Sequence, residues 1–194
     1  MEFPVMSKIQ TVIIDNYLPE EEFSRLKKET LEEMGTSIMH PSFYDLKTTV
    51  DHPYINIADI MLNAASEYYD LESIVGYEIW THNNTRPGGR HTDKDDMYYE
   101  ITGKERHPVC TIVYYLNVDH FLKDGRLKLD NIATIVPKEN RVVIFPPGVW
   151  HEVEKYEGDR VSIVMNPWNT PVYTDPDDIP EEEQKAFWGD MESL

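Results

Sequence analysis

Apolar and polar positions follow a helical rhythm up to Leu71 and an alternating one after it. Ile9–Asp15 (IQTVIID) is apolar and β-branched and reads as a strand. Asn16-Tyr17-Leu18-Pro19 then turns the chain. Pro19 suits the first turn of a helix, and Glu20 to Glu22 complement its positive end. Phe23, Leu26 and Leu31 recur at helical spacing and predict an amphipathic helix over about 19–34. Ile57, Ile60, Met61 and Ala64 predict a second helix over about 57–70.

After Leu71 the chain breaks into short runs divided by Gly, Pro, Asn and Asp. The predicted strands are Gly76–Thr81, Cys110–Asn117, Arg126–Leu129, Ile132–Ile135, Arg141–Phe145, Val149–Lys155 and Arg160–Met165. Strands at this spacing predict a β-sandwich or barrel. Helices leading a β-rich remainder predict an α+β fold, in which N-terminal helices pack on one sheet of a two-sheet jelly roll. From Thr170 the chain is rich in proline and acid and reads as a surface tail. It has one short helix near Glu181–Phe187, with Phe187 and Trp188 placed to dock it. There is no internal repeat and no low-complexity linker. One domain is expected over 1–194, with a core at about 76–168, a lead-in at 1–75 and the acidic tail at 170–194.

Composition narrows the partners. Eighteen basic residues stand against 36 acidic ones, a net charge of −18. That charge argues against general affinity for nucleic acid or an anionic membrane surface, and leaves a basic or neutral peptide open. The one cysteine, Cys110, allows no internal disulfide and falls in an apolar run, as a buried inert thiol would. No run approaches transmembrane length and MEFPVMSKIQ does not resemble a signal peptide, so a cytoplasmic location is expected. Nothing in the sequence fixes the oligomeric state.

The informative segment is Arg90-His91-Thr92-Asp93. In extended chain, residues i and i+2 point the same way, so His91 and Asp93 can present an imidazole and a carboxylate to one ion. His151, in Val149-Trp150-His151-Glu152-Val153, is the candidate third ligand. Two His and one carboxylate on one face of a metal are the arrangement of non-haem Fe(II) oxygenases. His40, His52, His107 and His120 are read as ordinary surface or hydrogen-bonded histidines, and His82 stays ambiguous. Arg160 follows His151 across a turn at Glu157-Gly158-Asp159, and an antiparallel hairpin would bring it beside the metal. A guanidinium there can hold a carboxylate bidentately. In Cys110–Asn117, alternation that turns Tyr115 inward also turns Thr111 and Val113 inward, and faces Ile112, Tyr114 and Leu116 to the helices. The Tyr115 phenol could bond the same carboxylate. Leu127 and Leu129 alternate inward as an apolar wall.

His91-x-Asp93, Tyr114-Tyr115-Leu116-Asn117, Gly125-x-Leu127-x-Leu129, His151-Glu152-Val153 and Arg160-x-Ser162-Ile163 stand in an order that resembles the prolyl-hydroxylase branch of the 2-oxoglutarate/Fe(II) dioxygenases. The branch with the oxygen-sensing prolyl hydroxylases looks closest. The resemblance covers about residues 76–168, and IIDNYLPEEEF also resembles the family's lead-in. It implies a double-stranded β-helix with iron near its open end. His91, Asp93 and His151 match the iron ligands, Arg160 the residue that holds the far carboxylate of 2-oxoglutarate, Tyr115 the tyrosine that assists it, and Leu127 a wall residue. Relatives often carry a cosubstrate-contacting tyrosine on the strand before the HxD motif. Here the matching position is Thr81, with Trp80 or His82 as substitutes. Lys94–His107 reads as an insertion-like loop, either solvated or a lid with Met97, Tyr98 and Tyr99 beside the metal motif.

The implied reaction uses Fe(II), 2-oxoglutarate as cosubstrate and O2. It would hydroxylate a prolyl or other residue in a peptide or protein, with release of succinate and CO2. Trp80, His82, Tyr98 and Tyr99 are the candidate substrate contacts. Alternatives remain: a hydroxylase of a free amino acid or other small molecule, a cupin-type metalloenzyme without 2-oxoglutarate, a binding module without turnover, or a purely structural jelly roll.

Overall fold

The structure, a computed structural model, describes residues 10–34, 42–48, 54–82 and 89–184. Ile9, His40, His52, Phe187 and Trp188 lie outside these, and with them the expected docking of the tail helix. In chain order the elements are β1 (Val12–Asp15), α1 (Glu20–Met34), β2 (Ser42–Asp45), α2 (Ile55–Ser66), β3 (Gly76–His82), α3 (Asp96–Thr102) and β4 (Thr111–Val118). Then come β5 (Lys123–Asp124), β6 (Leu127–Leu129), β7 (Ala133–Ile135), β8 (Arg141–Phe145), β9 (His151–Val153), β10 (Tyr156–Glu157) and β11 (Arg160–Trp168). The fold is mixed α and β, and every strand pairing described is antiparallel.

Among the described residues, a six-stranded sheet runs in the order β1-β8-β4-β11-β3-β2 and a three-stranded sheet in the order β7-β6-β9, and β5 pairs with β10. Alternation along the strands divides the apolar side chains into two buried clusters. One joins Phe23 and Leu26 of α1, and Ile57 and Met61 of α2, to Ile112, Tyr114, Leu116 and Ile144 of the large sheet. The other joins Val113, Tyr115, Val143 and Phe145 of the large sheet to Leu127, Leu129 and Ile135 of the small one. The sequence parity within β4 is the one observed. A fully buried Leu-sized side chain contributes about 1.5–3 kcal/mol, so β4, buried on both faces over Thr111–Leu116, contributes strongly to both clusters.

Two expectations are corrected. The hairpin across Glu157-Gly158-Asp159 does not form: β9 pairs with β6, β10 with β5, and β11 with β4 and β3. Gly158, at φ 107°, turns the chain from the β5–β10 pair to the large sheet instead. The stretch Lys94–His107 is not all loop, because it holds α3. Asp95 caps that helix by accepting the Tyr98 N–H at 2.9 Å, and Gly103 ends it in the left-handed region at φ 69°.

Asn140 fastens the turn before β8 to the start of α1. It is buried, and its φ of 55° lies in the left-handed region that Asn tolerates. Its Oδ1 accepts from Leu18 N–H and from Tyr114 Oη–H, each at 3.0 Å, and its Nδ2 donates to Leu18 O at 2.7 Å. Asn140→Ala should lower the unfolding free energy in urea by about 2–4 kcal/mol, because it strands several buried polar groups at once. Tyr114→Phe should cost about 1 kcal/mol. Equal losses in the two variants would mean that the Leu18 bonds contribute nothing.

Candidate functional site

His91 precedes α3 in extended chain, and the backbone holds it to β9. His91 N–H donates to His151 O at 3.0 Å, and His151 N–H donates to His91 O at 2.8 Å, forming an isolated antiparallel bridge. The two imidazoles therefore stand side by side, with ring centroids 4.3 Å apart. Each ring is oriented by a carbonyl two residues upstream: His91 Nδ1–H donates to Gly89 O at 2.6 Å, and His151 Nδ1–H donates to Val149 O at 2.9 Å. A carbonyl only accepts, so both Nδ1 atoms carry the proton and both Nε2 lone pairs are free. Those Nε2 atoms each lie 3.7 Å from an oxygen of Asp93.

Asp93 is held from two sides. Thr111 Oγ1 donates to its Oδ2 at 2.5 Å, and His107 Nδ1–H donates to its backbone oxygen at 2.8 Å. Donor atoms of His91, Asp93 and His151 all lie within 4.8 Å of one another, the only such group among the described residues. Burial lowers the basicity of His151, although Asp93 opposes that shift, so its imidazole is neutral and can donate a lone pair. Two nitrogens and one carboxylate, with further positions open, suit a divalent iron.

The cluster opens into a pocket of about 90 Å³ walled by Trp80, His82, Leu127, His151, Arg160 and Ser162, among others. Arg160 is 2 % exposed. Among the described residues no carboxylate lies within ion-pair reach of it, and its Nε has no partner. Its guanidinium donates to His82 Nδ1 at 3.4 Å and stacks on the Tyr115 and Tyr156 rings at 5.0 and 5.7 Å. Burial and the Arg160 charge push the His82 pKa down to about 4, so that ring is neutral. Tyr115 stands beside Arg160 rather than on the pocket wall, and its buried hydroxyl has no partner. A buried cation with no counter-ion is costly unless a ligand completes it, and a carboxylate is the complement.

The strand register decides among Trp80, Thr81 and His82. Along β3, Tyr77, Ile79 and Thr81 are buried, whereas Glu78, Trp80 and His82 turn to the pocket side. Thr81 is therefore not the position that meets the pocket; Trp80 and His82 are. Tyr98 and Tyr99 also depart from expectation, because neither lines the pocket nor the groove beside it. Tyr98 is buried, bonds Glu183 and packs under Arg106, whose guanidinium lies 3.5 Å from its ring. Tyr99 is half-exposed, with Lys94 Nζ 3.6 Å above its ring.

A second, wider groove of about 400 Å³ adjoins the candidate metal cluster and shares Trp80 and His91 with the first pocket. Glu78, Met97, Asn166, Val172, Tyr173 and Thr174 contribute to its walls. Sequence reasoning placed Met97 beside the metal motif and missed the others. The parity of Trp80 could have found Glu78, but nothing local marks Val172–Thr174. The tail is drawn in by Arg106, which bridges Glu183 at 2.9 Å and lies 5.5 Å from the Tyr173 ring.

Residues 79–168 match the sequence profile of the 2OG-Fe(II) oxygenase superfamily. Comparison with curated proteins gives no match. Among solved structures, a Pseudomonas putida prolyl-4-hydroxylase superposes with a TM-score of 0.58 at 17% identity, over 86% of this chain and 96% of its own. A viral collagen prolyl hydroxylase from Paramecium bursaria Chlorella virus-1, in its 2OG complex, superposes at 0.57 and 13% identity, over 84% and 98%. A Trichoplax adhaerens prolyl hydroxylase, in complex with a hypoxia inducible factor peptide fragment, superposes at 0.54 and 15% identity, over 91% and 86%. At these identities the likeness is one of fold, and it agrees with the profile. Residues 79–168 thus carry the sequence pattern of a 2OG-Fe(II) oxygenase, and the fold of the described residues agrees with it.

Proposed function

We propose that this chain hydroxylates a prolyl or other residue in a peptide or protein. His91, Asp93 and His151 hold Fe(II), Arg160 holds the far carboxylate of 2-oxoglutarate, Tyr115 supports Arg160, and Leu127 is the apolar wall. The observation that carries this reading is that a two-His, one-carboxylate cluster and an uncompensated buried guanidinium open into one pocket. In the same reading, residues 1–194 form one domain. Its large and small sheets are the halves of a double-stranded β-helix, and α1 and α2 pack on the outer face of the large sheet. The peptide preference draws on the collagen prolyl hydroxylase and the prolyl hydroxylase bound to a hypoxia inducible factor peptide that share the fold.

Fe(II) held by His91, Asp93 and His151 would supply O2 activation, by which oxidative decarboxylation of 2-oxoglutarate to succinate and CO2 is coupled to hydroxylation of a substrate carbon. The chain supplies position and exclusion. Gly89 O and Val149 O fix the imidazole tautomers, and Thr111 fixes the Asp93 carboxylate. His82 is a neutral acceptor toward Arg160, so the guanidinium charge stays available to an anion. Leu127, Phe145 and Val164 keep the pocket dry, which strengthens that charge pairing.

The direct test is to incubate the iron-loaded protein with 2-oxoglutarate and a panel of proline-containing peptides, free proline, other amino acids and small acids. Succinate release and a one-oxygen mass gain are expected with a peptide. If only a free small molecule gains oxygen, the peptide reading fails while the dioxygenase stands. His91→Ala, Asp93→Ala and His151→Ala should each abolish turnover with the fold intact by circular dichroism; full activity in any one removes that residue from the ligand set.

Arg160→Ala should raise the 2-oxoglutarate KM strongly and leave Fe(II) affinity nearly unchanged, with Arg160→Lys between, since it keeps charge and loses the fork. Tyr115→Phe should give a smaller defect of the same kind. Equal defects toward iron and cosubstrate would oppose these roles.

His82 gives a pH dependence. Its folded pKa of about 4 lies below the ordinary histidine value of 6.5, so between these values the unfolded chain binds the extra proton. This contribution to stability is complete above pH 6.5 and is lost as pH falls toward 4. NMR titration should show His82 unprotonated at pH 5.5, and His82→Gln should flatten the stability curve between pH 4 and 6.5. A His82 titration midpoint near 6.5 would contradict this.

A further inference from the structure

Glu78 and Asn166 face each other across β3 and β11, as directly opposed residues on the side that carries the pockets. The same face runs from His82 opposite Ser162, through Trp80 opposite Val164, to Glu78 opposite Asn166. Trp80 is shared between the inner pocket and the outer groove, so Glu78 lies two residues, roughly 7 Å, farther out. This pair has no role in holding metal or cosubstrate.

Each side chain has one oxygen that no described group bonds. Asn166 is 2 % exposed, and its Oδ1 has no hydrogen-bond partner among the described residues. Trp168 Nε1 donates to Glu78 Oε2 at 2.9 Å, and no described group bonds the other carboxylate oxygen. Burying the Asn166 Oδ1 without a donor costs free energy that a donor-bearing ligand would recover. The charges around the groove point the same way. Of its other carboxylates, Asp93 belongs to the metal cluster and Asp95 caps α3, while Asp96 adds negative charge at the rim. The one lysine on the groove wall is turned away, with Lys94 Nζ over the Tyr99 ring and 3.9 Å from Glu105.

We infer that Glu78 and Asn166 form a substrate-specificity subsite that takes a protonated amine or guanidinium, carried by the residue next to the one hydroxylated. The inference rests on the hydroxylase reading above. Burial and the nearby Asp93, Asp95 and Asp96 push the Glu78 pKa up to about 7, so a bound cation favours its ionised form. Glu78 then supplies the charge, Asn166 a neutral second acceptor, and Trp80 an apolar floor between this subsite and the metal. A lysine or arginine side chain beside the target residue provides the donor. The α-amino group of a free amino acid offers the same chemistry at shorter reach.

The test uses the full chain loaded with Fe(II) and 2-oxoglutarate, and blocked pentapeptides with a central proline flanked on either side by lysine, glutamine or glutamate. Free proline and free lysine form a second arm. Hydroxylation by mass and peptide binding by titration calorimetry are both read. The lysine peptides should exceed the glutamine peptides on the order of tenfold in kcat/KM and in binding, the size of one charge-assisted hydrogen bond. Glu78→Gln keeps an acceptor for Trp168, and should reduce that ratio to about two or less by removing the charge. Asn166→Ala, on the opposite strand, should weaken lysine-peptide binding severalfold, and it stands in if Glu78→Gln fails to fold by circular dichroism. Peptide hydroxylation with no preference for lysine, or a preference that survives both variants, overturns the subsite while leaving the hydroxylase reading. Hydroxylation of only a free amino acid, lost in Glu78→Gln, keeps the subsite and replaces the peptide reading. No peptide or amino acid bound by the unaltered protein overturns the subsite.

Discussion

His91 and His151 exchange backbone hydrogen bonds of 3.0 and 2.8 Å, and the metal cluster depends on that bridge. It joins a segment with no strand of its own to the edge of the small sheet. Because side chains of directly opposed antiparallel residues share a face, the bridge alone sets the two imidazoles against each other. Asp93, two residues on, then falls on the same side. Thr111 reaches it from the large sheet, so the carboxylate is held between the two sheets. Shape and chemistry are linked at this point: the sheets must stand where they do for Thr111 and His151 to meet one carboxylate.

The same sheet spacing governs the inner pocket. Leu127 and His151 approach from the small sheet, and Arg160, Ser162 and Trp80 from the large one. Arg160 can be buried without an acid beside it because two tyrosine rings and a neutral histidine surround its guanidinium. These stabilise the cation partially and leave its charge unspent.

Much of this was legible in the sequence wherever a period was long enough to read. Parity along Cys110–Asn117 placed Tyr115 and Val113 on one face and Ile112, Tyr114 and Leu116 on the other, as observed. The HxD spacing brought His91 and Asp93 together for the same reason. What escaped was long-range. The path of Glu157–Arg160 follows from which sheet each neighbour joins, and a Gly-containing turn fits a crossover as well as a hairpin. On β3, a one-residue offset separates Thr81 from Trp80, and parity alone needs a known partner strand to choose between them. The helix α3 was readable from its ends, since Asp95 and Gly103 are ordinary capping residues, but its brevity hid any apolar stripe. Tyr98 looked like a lid residue and is a packing residue, because Arg106 and Glu183 were invisible as its neighbours.

The family profile ends at Trp168, where β11 ends, yet Val172–Thr174 wall the outer groove and are fastened by Arg106. The stretch that carries the candidate metal ligands and part of the stretch that shapes the groove are therefore separable along the chain. Exchange or drift of the terminal segment could redirect the selectivity of a lineage without disturbing its metal cluster, so diversification in such proteins need not pass through inactive intermediates.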